Sequence, residues 1–156
     1  MRLLEPDKPS RTYAALGWRL VPVGPDKVPR IRGWLDAASA DPACWKAWLR
    51  RWPDAALALA TGPAPGVLVV DVDAPGPAHA ADGAAALARL EEELGPLPSA
   101  PSAASPSGGR HLFFAWPAGR DRIPSRPLSP GLDVKASSAL ATLPCGVRTP
   151  GRRWLA

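Results

Sequence analysis

The sequence predicts an α+β fold built on a largely antiparallel sheet. Three observations carry that prediction. Apolar runs of strand length recur at 55–60, 66–73 and 110–116. Two segments of helical spacing, 42–52 and 82–94, lie between and beside them. The last third then holds two short strand-like runs, 131–135 and 139–143, around Ser137-Ser138, which read as a hairpin-like pair. Strands interleaved with helices, with strands gathered at one end, favour α+β over a parallel doubly wound sheet.

Each element has a local reason. Pro9-Ser10 followed by Arg11 to Leu16 and then Gly17 predicts a short helix, with Ser10 near its cap and glycine at its end. Trp18 to Val23 reads as a strand, with Pro22 at an edge because proline cannot donate to a sheet ladder. Gly24 to Gly33 is a loop carrying Lys27, Arg30 and Arg32, either a grip for polyanion or a solvated turn. Asp41-Pro42 opens a helix as N-cap and first-turn proline. Within it Trp45, Trp48, Leu49 and Trp52 fall at i, i+3, i+4 and i+7, a stripe that reads as core rather than a base-stacking platform. Lys46, Arg50 and Arg51 take the other face.

Ala55 to Ala60 is a second apolar run, stopped by Thr61-Gly62-Pro63. Val67 to Val70, bounded by Gly66 and Pro75, is a buried strand that leads into Asp71-Val72-Asp73. Asp82 to Leu94 is helical, with Leu87, Leu90 and Leu94 on one side, an Arg89/Glu93 pair one turn apart, and Gly95-Pro96 as its stop. His79 precedes it as a surface residue. The stretches 95–107 and 121–130 read as loops, and Arg110 to Trp116 as a clear strand.

Composition sets bounds. At 156 residues the chain suits one compact domain or two small modules sharing a core. A hydrophobic fraction of 46% with seven tryptophans excludes a disordered chain despite 21 prolines and 14 glycines. Lys plus Arg exceeds Asp plus Glu by 19 − 14 = 5, a balance that favours polyanionic partners. Cys44 and Cys145 stand alone, in no CxxC or Cys/His cluster, which argues against structural zinc and a disulfide framework. No run approaches the roughly 18 apolar residues of a membrane span, and no signal-peptide pattern opens the chain. The expectation is a soluble, cytoplasmic protein with no membrane partner.

Three segments carry the chemistry. Asp71 and Asp73 are spaced to leave a strand on one face, where two carboxylates repel and call for a cation. The alternative is that the strand has ended and both are solvated turn residues. Hard divalent ions such as Mg²⁺ or Mn²⁺ suit such oxygens. In Ser107-Gly108-Gly109-Arg110-His111, glycines would let backbone N–H groups approach an anion ahead of a strand that opens with histidine. In Gly131-Leu132-Asp133-Val134-Lys135, Asp133 and Lys135 share a face. Three carboxylates, a histidine and a glycine turn are the parts of a two-metal phosphoryl-transfer site, with His111 bonding a phosphate oxygen and Lys135 offsetting triphosphate charge. Taken singly, a histidine or a Gly-Gly turn is more often structural.

Val-Val-Asp-Val-Asp, Ser-Gly-Gly-Arg-His-Leu-Phe-Phe and Gly-Leu-Asp-Val-Lys, in that order, resemble the three motifs of the archaeo-eukaryotic primase superfamily. The closest branch looks like the bifunctional DNA primase/polymerase N-terminal (Prim-Pol) domain of mobile elements and phages. Gly17-Trp18 with Pro22, Lys27-Val28-Pro29, Gly33-Trp34 and Thr61-Gly62 support the likeness, which spans roughly Gly17 to Trp154.

The resemblance implies one catalytic domain over 1–156. Its N-terminal module would run roughly 1–65 and its RRM-like antiparallel module roughly 66–156, with the active site in the cleft between them. It implies Asp71, Asp73 and Asp133 as metal ligands, and His111 at the incoming nucleotide's phosphates. Ser107, Gly108, Gly109, Arg110 and Lys135 stand nearby as nucleotide-binding candidates. Lys27, Arg30, Arg32 and Arg152 would meet nucleic acid. The implied activity is template-directed synthesis and extension of primers on single-stranded DNA, from nucleoside triphosphates and with Mg²⁺ or Mn²⁺. A separate or fused helicase is the implied partner.

Two departures stand out. Cys145 occupies the neighbourhood of an expected serine, and no GxxxxGK[ST] loop occurs. The alternative function is a non-catalytic nucleic-acid-binding replication accessory that keeps the fold. A sugar-nucleotide transferase built on the Asp71/Asp73 pair would leave Gly108 to His111 unexplained.

Overall fold

The structure is a computed structural model that describes residues 8–77, 80–145 and 148–155. It is a mixed fold of two antiparallel-paired sheets and few helices, divided into two compact units. The first holds 1–60 and Leu140–Pro150; the second holds Thr61–Ala139 and Gly151–Ala156. The chain therefore returns to its first unit near the end, a division different from a single cut near residue 65. Among the described residues no helix is long and apolar enough to cross a membrane.

In the first unit, β1 (Leu20–Val23) pairs antiparallel with β2 (Ala56–Thr61), and β8 (Ala139–Thr142) lies on the far side of β2. Every residue of β1 and β2 is buried. Pro22 lies on β1, an edge strand, and needs no ladder donor; its carbonyl accepts from Arg30 N–H at 2.8 Å. Helix α1 (Lys8–Ala15) ends at Gly17, whose φ of 66° is the left-handed turn that glycine permits. Ser10 lies within this helix rather than ahead of it. A short helix α2 (Trp34–Ala37) follows the cationic loop, unforeseen because four residues carry no periodicity.

Helix α3 (Pro42–Arg51) begins as expected: the Asp41 carboxylate accepts from Ala43 N–H at 2.8 Å. Trp45 is buried, and its indole N–H donates to Ser39 O at 2.7 Å, whereas Trp48, Leu49 and Trp52 are half-buried. A core cluster of this unit joins Val21, Val23, Ala38, Ala56, Ala58 and Ala60, covered by Ile31, Trp34 and Leu140. Arg148 fastens the returning segment, donating to the carbonyls of Pro53 and Ala55.

The second unit is a six-stranded sheet in the order β6 (Arg126–Ser129), β7 (Leu132–Lys135), β3 (Val67–Val72), β5 (Arg110–Ala115), β4 (Ser102–Ala104), β9 (Arg153–Leu155). All five of its pairings are antiparallel. Helix α4 (Gly83–Leu94), capped by the Asp82 carboxylate on Ala85 N–H at 3.0 Å, covers one face. There Ala86 and Leu87 meet Val70, Val72 and Leu132, with Leu68, Leu112 and Phe114 alongside. Strand β3 is central, which is why its run is almost continuously apolar.

Three expectations are corrected. The segments read as loops at 95–107 and 121–130 contain β4 and β6, and a further strand, β9, closes the sheet. The runs around Ser137-Ser138 are not a hairpin: β7 pairs with β3 and β6, whereas β8 joins β2 in the other sheet. Ser138, at φ 57°, turns the chain between the two sheets. His79 lies outside the described residues.

Candidate active site

Strand register places the chemistry. Across the second sheet Asp133 of β7 stands opposite Asp71 of β3, and Asp71 stands opposite His111 of β5. His111 faces Ala103 of β4, which faces Trp154 of β9. Residues directly opposed on antiparallel strands share a face, so Asp133, Asp71, His111, Ala103 and Trp154 form one row across five strands. Val69, Phe113 and Lys135 form the neighbouring row on the same face. This is the face away from α4, because Val70 and Val72 point to the helix. The Asp71/Asp133 opposition is the like-charge pairing that a sheet tolerates only with compensation.

Compensation is present at Asp71. Its Oδ2 accepts from Lys135 Nζ at 2.6 Å, and its Oδ1 accepts from His111 Nε2 at 3.2 Å. Burial, the largest single influence, disfavours the charged carboxylate. His111, by hydrogen bond and by charge, and then Lys135 together outweigh it and hold the Asp71 carboxyl well below the usual carboxylate range.

His111 is 4% exposed, yet it is not packed among apolar groups alone. Phe113 meets its ring edge-on at a centroid distance of 6.2 Å, and Arg152 Nη1 lies 3.5 Å from Nδ1. An ionised carboxylate only accepts and a guanidinium only donates. The hydrogen on Nε2 therefore faces the Asp71 carboxylate, and the Arg152 guanidinium lies beside Nδ1. Trp154 backs this end of the row, its ring 4.9 Å from that of Phe113.

Asp73 lies one residue beyond β3, and its backbone is clasped from three sides. Its N–H donates to Gly131 O at 2.9 Å, and its carbonyl accepts from Gly83 N–H at 2.9 Å. A side chain on Gly109 would come within 2.5 Å of Val72 O and 3.2 Å of Asp73 Cα. A side chain on Gly83 would collide with Gly131 O and lie 2.8 Å from Asp73 N and O. Glycines from three remote segments are therefore what lets the chain close around the end of β3.

The remaining candidates scatter. Ser107 and Gly108 form the exposed β4–β5 turn, in which Gly108, at φ 88°, donates its N–H to Ser105 O at 3.1 Å. Gly109 is buried by its approach to β3, so packing alone accounts for it. Arg110 stands opposite Val72, on the face away from His111, because alternate residues of a strand diverge. Lys27 and Arg32 are exposed in the first unit, and Arg30 is paired with Asp54 at 2.8 Å. The sequence places Arg152 among the nucleic-acid cations; in the structure it is buried against His111. No local signal marks that role, because the partners lie 41 residues apart.

Oxygen donors from Asp71, Asp73 and Asp133 suit a hard divalent ion by their chemistry. Among the described residues, however, no three His, Cys, Asp or Glu side chains converge to hold one. Asp71 is turned instead to His111 and Lys135.

The family model described as bifunctional DNA primase/polymerase, N-terminal (Prim-Pol) matches residues 10–156. No curated protein matches the chain.

Proposed function

Since the chain belongs to the bifunctional DNA primase/polymerase N-terminal family, whose members imply nucleotidyltransferase function of the primase-polymerase type, we propose that it makes and extends primers on single-stranded DNA templates from nucleoside triphosphates. The observation that carries this reading is the cross-strand row Asp133–Asp71–His111. Three motifs remote in sequence supply adjacent side chains on one face of one sheet.

Roles follow from position. Asp71, Asp73 and Asp133 would hold Mg²⁺ or Mn²⁺, which when bound supplies charge neutralisation to the triphosphate and its leaving group. Asp71 and Asp133 belong to paired strands, so their spacing is fixed by backbone rather than by loop conformation. The glycine clasp fixes Asp73 relative to them. His111 presents Nε2–H to an oxyanion; the Asp71 carboxylate receives it here, and a triphosphate oxygen is the partner proposed for it with substrate bound. Lys135 adds positive charge beside the row. Ser107 and the backbone of the Gly108-Gly109 turn are proposed to meet the nucleotide, and Lys27 and Arg32 the template phosphates.

Incubation with single-stranded template, labelled nucleotides and either metal, with and without a primer, tests the reading. Incorporation that needs template and divalent metal supports it. Template binding without incorporation under either metal would instead identify a non-catalytic replication accessory.

A further inference from the structure

The first unit gathers cations that the row on the second sheet leaves unused. The loop between β1 and α2 exposes Lys27 and Arg32, and α3 exposes Lys46, Arg50 and Arg51 on the side away from buried Trp45. Helix α3 has no Asp or Glu, and among the described residues no carboxylate pairs with any of these five cations. Arginines in a last helical turn also favour the C-terminal dipole, which accounts for Arg50 and Arg51 but not for mid-helix Lys46 or the loop pair.

One ion pair joins the two groups. From the loop, Arg30 Nη2 reaches Asp54 Oδ2 at 2.8 Å, just past the C-cap of α3 at Trp52. Gly24 lets it cross, because a Cβ there would collide with the Arg30 guanidinium. The loop is itself framed by hydrogen bonds: Gly24 N–H donates to Val28 O and Lys27 N–H to Gly24 O, both at 2.9 Å, and Val28 N–H donates to the Asp26 carboxylate at 3.1 Å. This frame holds Lys27 at φ 63°, a left-handed conformation that residues with a side chain rarely adopt. On α3, the Arg51 guanidinium lies 4.8 Å from the centre of the Trp52 ring, a stacking that leaves its in-plane N–H groups to face an oxyanion. Cations oriented beforehand lose little freedom on meeting a ligand.

We infer that the β1–α2 loop and the exposed face of α3 form one phosphate-binding surface for single-stranded DNA, contacted by Lys27, Arg32, Lys46, Arg50 and Arg51 and stapled together by Arg30–Asp54. The choice of a DNA strand as occupant rests on the primase-polymerase reading, to which this adds the place where the template backbone lies on the first unit. Phosphate contacts position a strand without reading its bases, so this surface holds template of any sequence.

Binding of fluorescein-labelled oligo(dT) to the full chain, followed by anisotropy across a range of NaCl concentrations, tests the inference. For single strands, log affinity falls with log salt by roughly 0.7 per phosphate neutralised. Lys46→Gln/Arg50→Gln/Arg51→Gln should therefore lower that slope by about 2 and weaken binding about tenfold or more at low salt, whereas Lys46→Arg/Arg50→Lys/Arg51→Lys should bind as wild type. An unchanged slope in the neutralised variant, shown folded by circular dichroism, would overturn the surface. Lys27→Gln/Arg32→Gln should weaken the same oligonucleotide. Two separate sites would mask one another's loss, so near-wild-type binding in either variant alone contradicts a single surface. Gly24→Ala moves the Arg30 guanidinium off Asp54 without altering net charge and should weaken binding several-fold; binding as tight as wild type removes the staple. Template-dependent incorporation separates the failures. A triple variant that incorporates nucleotide with wild-type template affinity sinks the surface and leaves the primase-polymerase reading standing. A slope that falls as expected, in a wild-type protein that incorporates nothing, sinks that reading and leaves the surface standing.

Discussion

Gly83→Ala is a substitution on which two physical effects disagree in sign. Gly83 is the first residue of α4, and helix propensity alone makes alanine better by up to about 1 kcal/mol. Its φ is not left-handed, so no backbone strain opposes the change. Sterics does. The new methyl would collide with the Gly131 carbonyl and sit 2.8 Å from both Asp73 N and Asp73 O. These are backbone atoms that cannot rotate away, and they make the two 2.9 Å hydrogen bonds that tie Asp73 to β7 and α4. Overpacking costs about 1–3 kcal/mol, and each weakened hydrogen bond about 1 kcal/mol more. The clash therefore wins by roughly 2–4 kcal/mol, which lowers the melting temperature by about 4–16 °C in a chain of this size. Thermal unfolding followed by circular dichroism reads the effect, and the surviving folded fraction should incorporate nucleotide poorly because Asp73 is displaced. Gly76→Ala, which meets nothing within 4 Å, is the control and should melt as wild type. If Gly83→Ala melts at or above the wild-type temperature, the close packing around Asp73 is wrong.

Further predictions concern charge and orientation. The Asp71 carboxyl is held below its unfolded value, so the stability it contributes is fully present above the ordinary carboxylate pKa and is lost as pH falls below that value. Between about pH 5 and pH 2, denaturant unfolding of wild type should therefore lose stability more steeply than that of Asp71→Asn; equal slopes would contradict the ion-paired carboxylate. Arg152→Met should remain folded but lower incorporation about tenfold or more, the scale of one hydrogen bond to a charged donor, with partial recovery in Arg152→Lys; full activity in Arg152→Met would remove Arg152 from the site.

What the sequence makes legible follows from where the signal is local. Asp41-Pro42 announces α3 because an N-cap is a short-range device, and its carboxylate makes the expected bond; Asp82, read as the first residue of the helical stretch, is in fact the cap of α4. Strands β3 and β5 are legible because central strands need apolar side chains on at least one face. Strands β4 and β6, Ser-Ala-Ala and Arg-Pro-Leu-Ser, are not legible: they are three and four residues long and exist because β5 and β7 offer them a ladder. The parting of β7 from β8 is invisible for a similar reason, since membership of a sheet is decided by remote partners. Alternation correctly puts Asp133 and Lys135 on one face, and it also explains why Arg110 leaves from the opposite face to His111. The Lys135–Asp71 pair and the Arg152–His111 contact depend on register between strands, which one sequence does not state.

A double-mutant cycle on Asp71 and Asp133, read by primer extension at saturating template, tests the central claim most directly. Groups that serve one centre fail as a unit, so Asp71→Asn and Asp133→Asn should each abolish nearly as much incorporation as the pair together. Losses that multiply independently, or incorporation that survives in Asp133→Asn, would show that the two carboxylates facing each other across β3 and β7 do not share a reaction.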